Sequence, residues 1–525
     1  MPEPGIAGTR SCRNPELPEP GAASPAKLVA PILLSVNRKN KGEHVTEPLK
    51  ILFLAAEVDP FAKVGGLGDV AGSLPKALKS LGHDVRVVMP AYQKIEQGFP
   101  GVIPIDGMLR VLTGAGMIIA GGFQSVLPGS EVPIYFIAEQ NLFDRSHIYG
   151  YGDDAYRFSF FSRAALELTL ALDWQPDIVH AHDWHTAPAI MWLATAPKKD
   201  KRLQNLATIF TIHNLAHQGR SSWDIIEYLN VGQTYSLNEE GYGEINFMAR
   251  GIHHATMINT VSPNYSREIL TPEHGVSLEG LLLHRSFDIH GILNGLDYEA
   301  WNPASDPRLV SNFDVDHLSA RVNNKRALQK YLQLPQRDDV PLIVMVTRLD
   351  YQKGLDIVGH PLHLLLSNRI GEAQFAVLGT GAPEYERMFA NLANTHKMKM
   401  TAVLDYQTDL APLFYAGSDI FLMPSRFEPC GLGQLIAMRY GSVPIVRATG
   451  GLADTVLDGY NGFSFNQLRW EALWYTLYRA IYLYYTDPST WRLIQNTCMS
   501  TDSSWSRSAR SYQQLYRWAI ARHLL

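Results

Sequence analysis

The chain alternates between short continuous hydrophobic runs and longer stretches in which apolar residues recur every three or four positions. Runs of the first kind predict strands buried on both faces, and stretches of the second kind, such as "RAALELTLAL" (163–172), predict the helices that cover them. Strands are expected at "DVRVVMP" (84–90), "VPIYFIAE" (132–139), "DIVHAH" (177–182), "ATIFTIHN" (207–214) and "MINTVS" (257–262). This alternation predicts a parallel sheet with helices between its strands.

The alternation starts again after the turn-rich segment "GILNGLDYEAWNPASDP" (291–307). Further strands are expected at "PLIVMVTR" (341–348), "QFAVLG" (374–379), "MTAVLDY" (400–406), "DIFLMPS" (419–425) and "VPIVRAT" (443–449). We therefore predict an α/β fold with two doubly wound Rossmann-like domains facing a cleft. The expected divisions are a disordered N-terminal extension (1–48), a first domain (49–297), a second domain (298–500) and a C-terminal helix packing back toward the first domain (501–525).

Composition narrows the class of protein. Of 525 residues, 46% are hydrophobic and 18% are charged, and the net charge is only −5. A nucleic-acid-binding protein would show a concentrated basic face, so we do not expect this chain to bind nucleic acid. No apolar run approaches the roughly 18 residues that span a bilayer, so we expect no membrane association.

Cysteine usage and the N-terminal extension bear on the compartment. The three cysteines lie far apart and leave an odd one, which predicts no disulfide framework and favours a reducing compartment, the cytoplasm: Cys12, Cys430 and Cys498. A plastid location would require the extension to be a transit peptide, and Glu3, Glu16 and Glu19 argue against that.

The segment "KVGGLGDV" (63–70) follows the first strand-like run and leads into a helical pattern. It fits neither the P-loop nor G-x-G-x-x-G. Its glycines would let a ligand approach the backbone, and the following helix N-terminus and Lys63 would favour an anion. The alternative is a tight turn with a solvated lysine.

Two later segments place cations, a carboxylate and glycines after predicted strands. In "VTRLDYQKGLD" (346–356), Arg348 and Lys353 could neutralise a departing diphosphate. In "MPSRFEPCGLGQL" (423–435), Glu428 precedes a glycine-broken helix start whose backbone N–H groups could meet phosphate oxygens. Cys430 is interpreted as a packed small residue because no histidine lies nearby in the sequence.

Histidines cluster in "DIVHAHDWHTAP" (177–188). His180 and His182 are two apart on a strand and therefore face one side, with Asp183 and His185 beyond. The aspartate falls one position too early for the His-x-His-x-Asp-His pattern of binuclear metallohydrolases, so contact with a polar substrate is favoured over metal binding. His213 lies at another strand end.

In this order the motifs resemble those of bacterial glycogen synthases and plastid starch synthases, retaining glucosyltransferases (GT5-type) of the two-Rossmann-domain GT-B architecture. The resemblance runs from about residue 50 to the C-terminus. It is carried by "KVGGLGDV", "YGDDAYRF", "HAHDWH", "TIHNLAHQG", "GILNGLD", "TRLDYQKGLD", "SRFEPCGLGQL" and "TGGLADTV".

The resemblance implies transfer of glucose from ADP-glucose to the non-reducing end of an α-1,4-glucan, with retention of configuration and no cofactor or metal. The implied catalytic residues are Glu428, Arg348, Lys353 and His182. The implied donor-binding residues are Lys63, Gly66, Asp153, Asn294, Tyr406, Cys430, Gly431, Leu432 and Gly433, with Tyr406 stacking on the base. The implied acceptor-binding residues are Glu57, Asp69, His213 and Asn214.

Two departures from related transferases qualify the resemblance: Ile436 stands where many carry a second glutamate, and Val64 stands where the family often has threonine. The principal alternative is a catalytically weak glucan-priming or glucan-binding protein of the same fold. A transferase acting on sucrose or a lipid-linked sugar and a metallohydrolase are further alternatives. The sequence leaves open whether the product is glycogen or starch.

Overall fold

The computed structural model describes residues 47–96, 98–196, 200–232, 234–405 and 407–524. Within it, Pro48–Leu525 form one compact unit. The expected N-terminal extension (1–48) lies outside the described residues except for its last two, and Tyr406 lies outside them as well.

The first half of the unit alternates strands and helices, with an antiparallel section in its middle. Its elements are β1 (Lys50–Leu54), α1 (Gly66–Ser80), β2 (Asp84–Pro90), α2 (Gln93–Glu96), β3 (Ile103–Pro104), β4 (Leu109–Thr113), β5 (Gly116–Val126), β6 (Pro133–Ala138), α3 (Gln140–Phe143), α4 (Asp154–Ala171), β7 (Ile178–His182), α5 (Ala187–Thr195), β8 (Ala207–Ile212), β9 (Arg220–Ser222), α6 (Ile225–Tyr228), β10 (Glu244–Asn246), α7 (Phe247–His254), β11 (Met257–Thr260), α8 (Pro263–Glu268), α9 (Glu279–His284) and β12 (Ile289–Gly291).

These strands form a ten-stranded sheet in the order β12-β11-β8-β7-β1-β2-β6-β5-β3, with β4 paired to β5, while β9 and β10 pair separately. Neighbours from β12 to β6 are parallel, and β5 pairs antiparallel with β6, β3 and β4. Strand order reverses between β1 and β7, which lie side by side. In open α/β sheets, ligands bind beyond the carboxyl ends of strands at such a switch point.

The second half has the simpler architecture. Its elements are α10 (Arg321–Tyr331), β13 (Leu342–Val346), α11 (Gly359–Leu366), β14 (Gln374–Leu378), α12 (Pro383–Thr395), β15 (Met400–Val403), α13 (Ala411–Gly417), β16 (Ile420–Met423), α14 (Gly433–Arg439), β17 (Val443–Arg447), α15 (Gly450–Thr455), β18 (Phe463–Phe465), α16 (Trp470–Thr486), α17 (Pro488–Ser500) and α18 (Trp505–His523).

The second sheet is parallel throughout, in the order β15-β14-β13-β16-β17-β18. Its switch point lies between β13 and β16. Both halves are therefore doubly wound, and the predicted fold class is confirmed. Strands such as β7 and β8 are buried at every position because helices cover both faces, which is why they read as continuous apolar runs.

The sequence interpretation missed the antiparallel section. In β4 the burial alternates strictly, and only Gly114 and Ala115 separate β4 from β5. This alternation is not visible in the sequence, because the apolar Leu112 is exposed and the polar Thr113 is buried, so only the short glycine-containing turn indicated a hairpin. The very short strands β3, β9, β10, β12 and β18 carry too few residues for a period to be visible.

Helix α18 belongs to the core of the first half although it ends the chain. Its apolar residues share one hydrophobic cluster with β1, β2 and β7: Trp505, Ala509, Tyr512, Leu515, Tyr516 and Ala519. The Ser508 hydroxyl also donates to the carbonyl of Leu293 at 2.6 Å. Among the helices of the described residues, none is long and apolar enough to cross a membrane.

Candidate active site

Glu57, just beyond β1, holds the first glycine turn in place. Its buried carboxylate accepts the backbone N–H groups of Val64 and Gly65 at 2.6 and 2.8 Å and the hydroxyl of Tyr149 at 2.7 Å. Two of the turn's N–H groups are thus already bonded within the protein. Tyr149 lies 92 residues from Glu57 in the chain, so nothing local in the sequence could pair them. An acceptor role for Glu57 stays a prediction.

Lys63 and Asp69 form an ion pair at the entrance of α1. The Lys63 ammonium lies 2.6 Å from the Asp69 carboxylate. Burial raises the pKa of Asp69, and the charge of Lys63 opposes that shift. Gly66 begins α1, and a Cβ placed on it would meet no atom within 4 Å. The space beside Gly66 is therefore open to a ligand.

His182 presents one free ring nitrogen at the end of β7. Its Nδ1 lies 2.8 Å from His213 Nε2, and its ring packs 4.1 Å from that of Phe53. Nε2 is buried and has no hydrogen-bond partner among the described residues. Burial lowers the pKa of His182 well below its ordinary value. His182 is therefore a neutral imidazole with a nitrogen available to a polar ligand.

A chain of hydrogen bonds from α18 supports this histidine from behind. His180, whose ring lies 4.1 Å from that of His182, hydrogen-bonds Tyr516 Oη at 2.9 Å and Thr211 Oγ1 at 2.7 Å. Thr211 and Tyr512 both donate to Asn259 Oδ1, at 3.0 and 2.9 Å. The sequence analysis missed these supporting residues because they come from three elements that are distant from one another in the chain, β8, β11 and α18.

Asp183 leaves the strand instead of continuing it. Its φ is +56°, and its carboxylate accepts the backbone N–H of His213 at 2.8 Å. Burial raises the pKa of Asp183 to about 7. Among the described side chains, no group of three or more His, Cys, Asp or Glu could hold a metal ion.

Three further predicted residues have distinct environments. Arg145 holds the carboxylate of Asp153 through two bonds of 2.6 Å, which lowers the pKa of Asp153. Asn294 is buried, and within the described part of the chain its side-chain oxygen has no partner. Asn214 Oδ1 accepts the N–H of Ala216 at 3.1 Å. Of the three, Asn294 is the one whose side-chain oxygen accepts no hydrogen bond from the described residues.

Lys353 and Glu428 meet at the second switch point. Lys353 follows β13, Glu428 follows β16, and their charged groups lie 2.7 Å apart with side chains only 12% and 10% exposed. The Ser425 hydroxyl also donates to Glu428, at 3.0 Å. Gly354 allows the approach: its φ is +64°, and a Cβ there would lie 2.2 Å from the carbonyl oxygen of Pro424. The sequence motifs are therefore joined by a buried ion pair.

Arg348 is the exposed cation of this site. Its side chain is 69% exposed, and its ion pair with Asp350 spans 3.5 Å. The pKa of His217, a residue of the first half, is lowered mainly by burial and next by the positive charge of Arg348. Because the guanidinium is exposed and only weakly paired, it is available to an anion.

The turn before α14 supplies donors. The backbone N–H groups of Gly431, Leu432 and Gly433 make no hydrogen bond to the described residues. Gln434, which the sequence analysis did not single out, fixes the turn by donating to the carbonyls of Cys430 and Gly431 at 3.1 and 2.9 Å. Burial raises the pKa of Cys430 to about 12, so it is a protonated thiol and not a nucleophile.

The glycine turn before α15 is used differently. Glu268, at the end of α8, accepts the N–H of Gly450 at 3.0 Å and the hydroxyl of Thr449 at 3.2 Å. Asp454 accepts the N–H of Asn264 at 2.9 Å. These contacts join α8, which follows the carboxyl end of β11, to α15, which follows the carboxyl end of β17, so the carboxyl edges of the two sheets adjoin there.

Comparison with known proteins adds to this geometry. Residues 50–284 match the starch synthase catalytic domain family, and residues 331–481 match the glycosyl transferases group 1 family. Over 488 residues the chain is 44% identical to the glycogen synthase of Moorella thermoacetica, covering 91% of this chain and 98% of that protein. The chain belongs to the glycogen synthase family.

Other relatives agree. The glycogen synthase of Geotalea daltonii is 43% identical over 489 residues, covering 90% of this chain and 99% of that protein. The catalytic domain of starch synthase IV from Arabidopsis thaliana, bound to ADP and acarbose, superposes with a TM-score of 0.83 at 35% identity, over 90% of this chain and 100% of that one. As a member of the glycogen synthase family, the protein is a GT-B glucosyltransferase that uses a nucleotide-sugar donor and a glucan acceptor. The resemblance drawn from the sequence motifs is confirmed.

Proposed function

We propose that the protein transfers glucose from ADP-glucose to the non-reducing end of an α-1,4-glucan with retention of configuration. The observation that carries the proposal is the pair of facing switch points, one offering free donors and a cation and the other a neutral histidine. The choice of the adenine nucleotide is supported by the similarity to the plant starch synthase structure that contains ADP. The predicted stacking of Tyr406 on the base rests on the sequence alone.

The donor diphosphate would lie against the second half. Arg348 would contribute an exposed charge, and the N–H groups of Gly431–Gly433 would donate to phosphate oxygens. Lys353 already has its charge balanced by Glu428, so an arriving diphosphate would share this ammonium with the carboxylate. Preorganised donors aimed at a developing anion typically contribute several kcal/mol to rate enhancement.

The transferred sugar would lie between the halves. His182 Nε2 would hydrogen-bond a sugar hydroxyl, and Asn294 Oδ1 would accept from another, since both atoms are buried without partners in the described residues. Lys63, Asp69 and Asp153 are the predicted neighbours of the donor and the glucan. His213, with Asn214 beside it, would position the acceptor.

Retention is derived most simply from attack on the face from which the diphosphate leaves. The acceptor O4 would bond to the anomeric carbon as the bond from that carbon to the diphosphate oxygen breaks, and a diphosphate oxygen would take the O4 proton. Glu428 is engaged by Lys353 and Ser425, which suits a positioning role better than that of a nucleophile. Catalysis is then mainly positioning and charge neutralisation.

Initial rates measured with ADP-glucose and with UDP-glucose on a maltoheptaose primer test the proposal. We expect faster transfer from ADP-glucose, and an α-1,4 product that an exo-acting amylase removes from its non-reducing end. A preference for UDP-glucose would contradict the donor assignment. Binding of the glucan without glucosyl transfer from either donor would support the alternative of a glucan-binding or priming protein.

A further inference from the structure

Helix α16 exposes a row of tyrosines that belong to neither switch point. Four of them are between 42% and 62% exposed: Tyr475, Tyr478, Tyr482 and Tyr485. Their spacing of three, four and three residues places them on one face of the helix, opposite its buried residues. The rings of Tyr478 and Tyr482 stack at 5.9 Å with an angle of 20° between their planes. These four exposed tyrosines are here called the tyrosine face.

The tyrosine face ends at a cavity of about 420 Å³ between α10, α16 and α17. Tyr485 belongs to both features, and Tyr484 and Trp491 continue the aromatic lining inward. Trp491 is only 5% exposed, and its buried indole N–H has no hydrogen-bond partner among the described residues. A buried donor without a partner usually indicates a ligand or an ordered water.

The polar lining of the cavity is mixed and balanced in charge. Three cations (Arg321, Lys325 and Arg492) face three carboxylates (Asp338, Asp339 and Asp419). Arg321 donates its hydrogen bonds through Nε and Nη2, which leaves Nη1. Asp419 uses Oδ2 for its side-chain hydrogen bond and ion pair, which leaves Oδ1. Neither an anion nor a cation is favoured by such a lining. A neutral ligand with many hydroxyls can use its donors and acceptors together.

We propose that the tyrosine face and this cavity form a second binding site for an α-1,4-glucan chain. A pyranose ring presents C–H groups on its faces, which pack on aromatic rings, and hydroxyls at its edges, which suit the cavity. The inference rests on the proposed glucan acceptor, because such a polymer is long enough to occupy two sites at once. Anchoring it at α16 would raise its effective concentration at the cleft without contributing to the chemistry.

The experiment compares the wild type with a triple variant, Tyr475→Ser with Tyr478→Ser and Tyr482→Ser. The three side chains are exposed, so the fold should persist, and a Tyr242→Ser and Tyr460→Ser double variant provides a control in which exposed tyrosines elsewhere are replaced. We expect the triple variant to bind glycogen about tenfold more weakly in affinity electrophoresis and to show a correspondingly raised KM for glycogen. Its kcat on maltotriose should be unchanged.

A second variant, Trp491→Phe, tests the cavity. Because the indole N–H bonds nothing within the described protein, a purely structural role predicts unchanged glucan binding, whereas the proposal predicts weaker binding at an unchanged kcat on maltotriose. Glycogen binding equal to wild type in both variants would overturn the inference. So would a wild-type dimer that the tyrosine substitutions dissociate with no change in glycogen binding. Absence of transfer to maltotriose in the wild type would instead contradict the proposed function.

Discussion

Replacing Arg348 with alanine should separate catalysis from stability. The side chain is 69% exposed, and the one ion pair that it forms with a described residue is 3.5 Å long, so its loss should cost less than about 0.5 kcal/mol of unfolding free energy. For a protein of this size that shifts Tm by no more than about 2 °C. If Arg348 neutralises the leaving diphosphate, kcat should fall by about 10²–10³, or roughly 3–4 kcal/mol in the barrier.

Lys353→Ala provides the contrast. It removes the partner of a carboxylate that is only 10% exposed, so stability should fall by about 3–5 kcal/mol in addition to the loss of turnover. The assay is kcat at saturating ADP-glucose and glycogen, with Tm from thermal melting. Arg337→Ala, an exposed arginine paired to Asp339 at 2.7 Å, is the matched control and should change neither quantity appreciably. Turnover of Arg348→Ala within threefold of wild type would refute the leaving-group assignment.

Other consequences can be measured directly. The pKa of Asp183 is raised in the folded protein to about 7. The unfolded chain therefore loses the Asp183 proton at a lower pH than the folded protein does. As pH rises from about 4 to 7, this difference lowers the free energy of unfolding by up to about 1.4 kcal/mol per pH unit. Asp183→Asn should therefore gain in Tm over wild type as pH rises from 5 to 7; a constant difference would contradict the shift. Gly354→Ala should cost more than about 1 kcal/mol, because a Cβ there meets Pro424 at 2.2 Å, and an unchanged Tm would show that the loops can separate. Turnover should be insensitive to exhaustive chelation, since Arg348 and Lys353 supply the positive charge, and recovery of lost activity by added metal would count against this.

The sequence predicted what depends on local pattern. Continuous apolar runs gave the parallel strands, and polar residues at or soon after the ends of these runs gave His182, Arg348 and Lys353 near the carboxyl ends of strands. The structure confirms the doubly wound fold, and the family comparisons confirm the glucosyltransferase. The individual roles of the site residues remain proposals. The ion pair between Lys353 and Glu428 joins two motifs that the sequence analysis described separately.

What the sequence could not predict depends on contacts between distant segments. The resemblance implied that Glu57 contacts the acceptor, and in the structure its carboxylate accepts hydrogen bonds from Val64, Gly65 and Tyr149. The N–H of Gly450 is taken by Glu268, 182 residues away, although its motif resembles the first glycine turn. A turn sequence predicts a shape, but which partner satisfies its N–H groups is decided by the tertiary fold.

The position of α18 has a consequence for how the protein is made. This helix covers the first sheet and hydrogen-bonds His180, but it follows β12 by about 200 residues, which is roughly 10–40 s of synthesis at 5–20 residues per second. During that time the growing chain has all ten strands of the first sheet but lacks the apolar cover that Tyr512, Leu515 and Tyr516 provide. A ribosome that stops early therefore releases a first half with an exposed apolar surface, which cellular quality control can recognise.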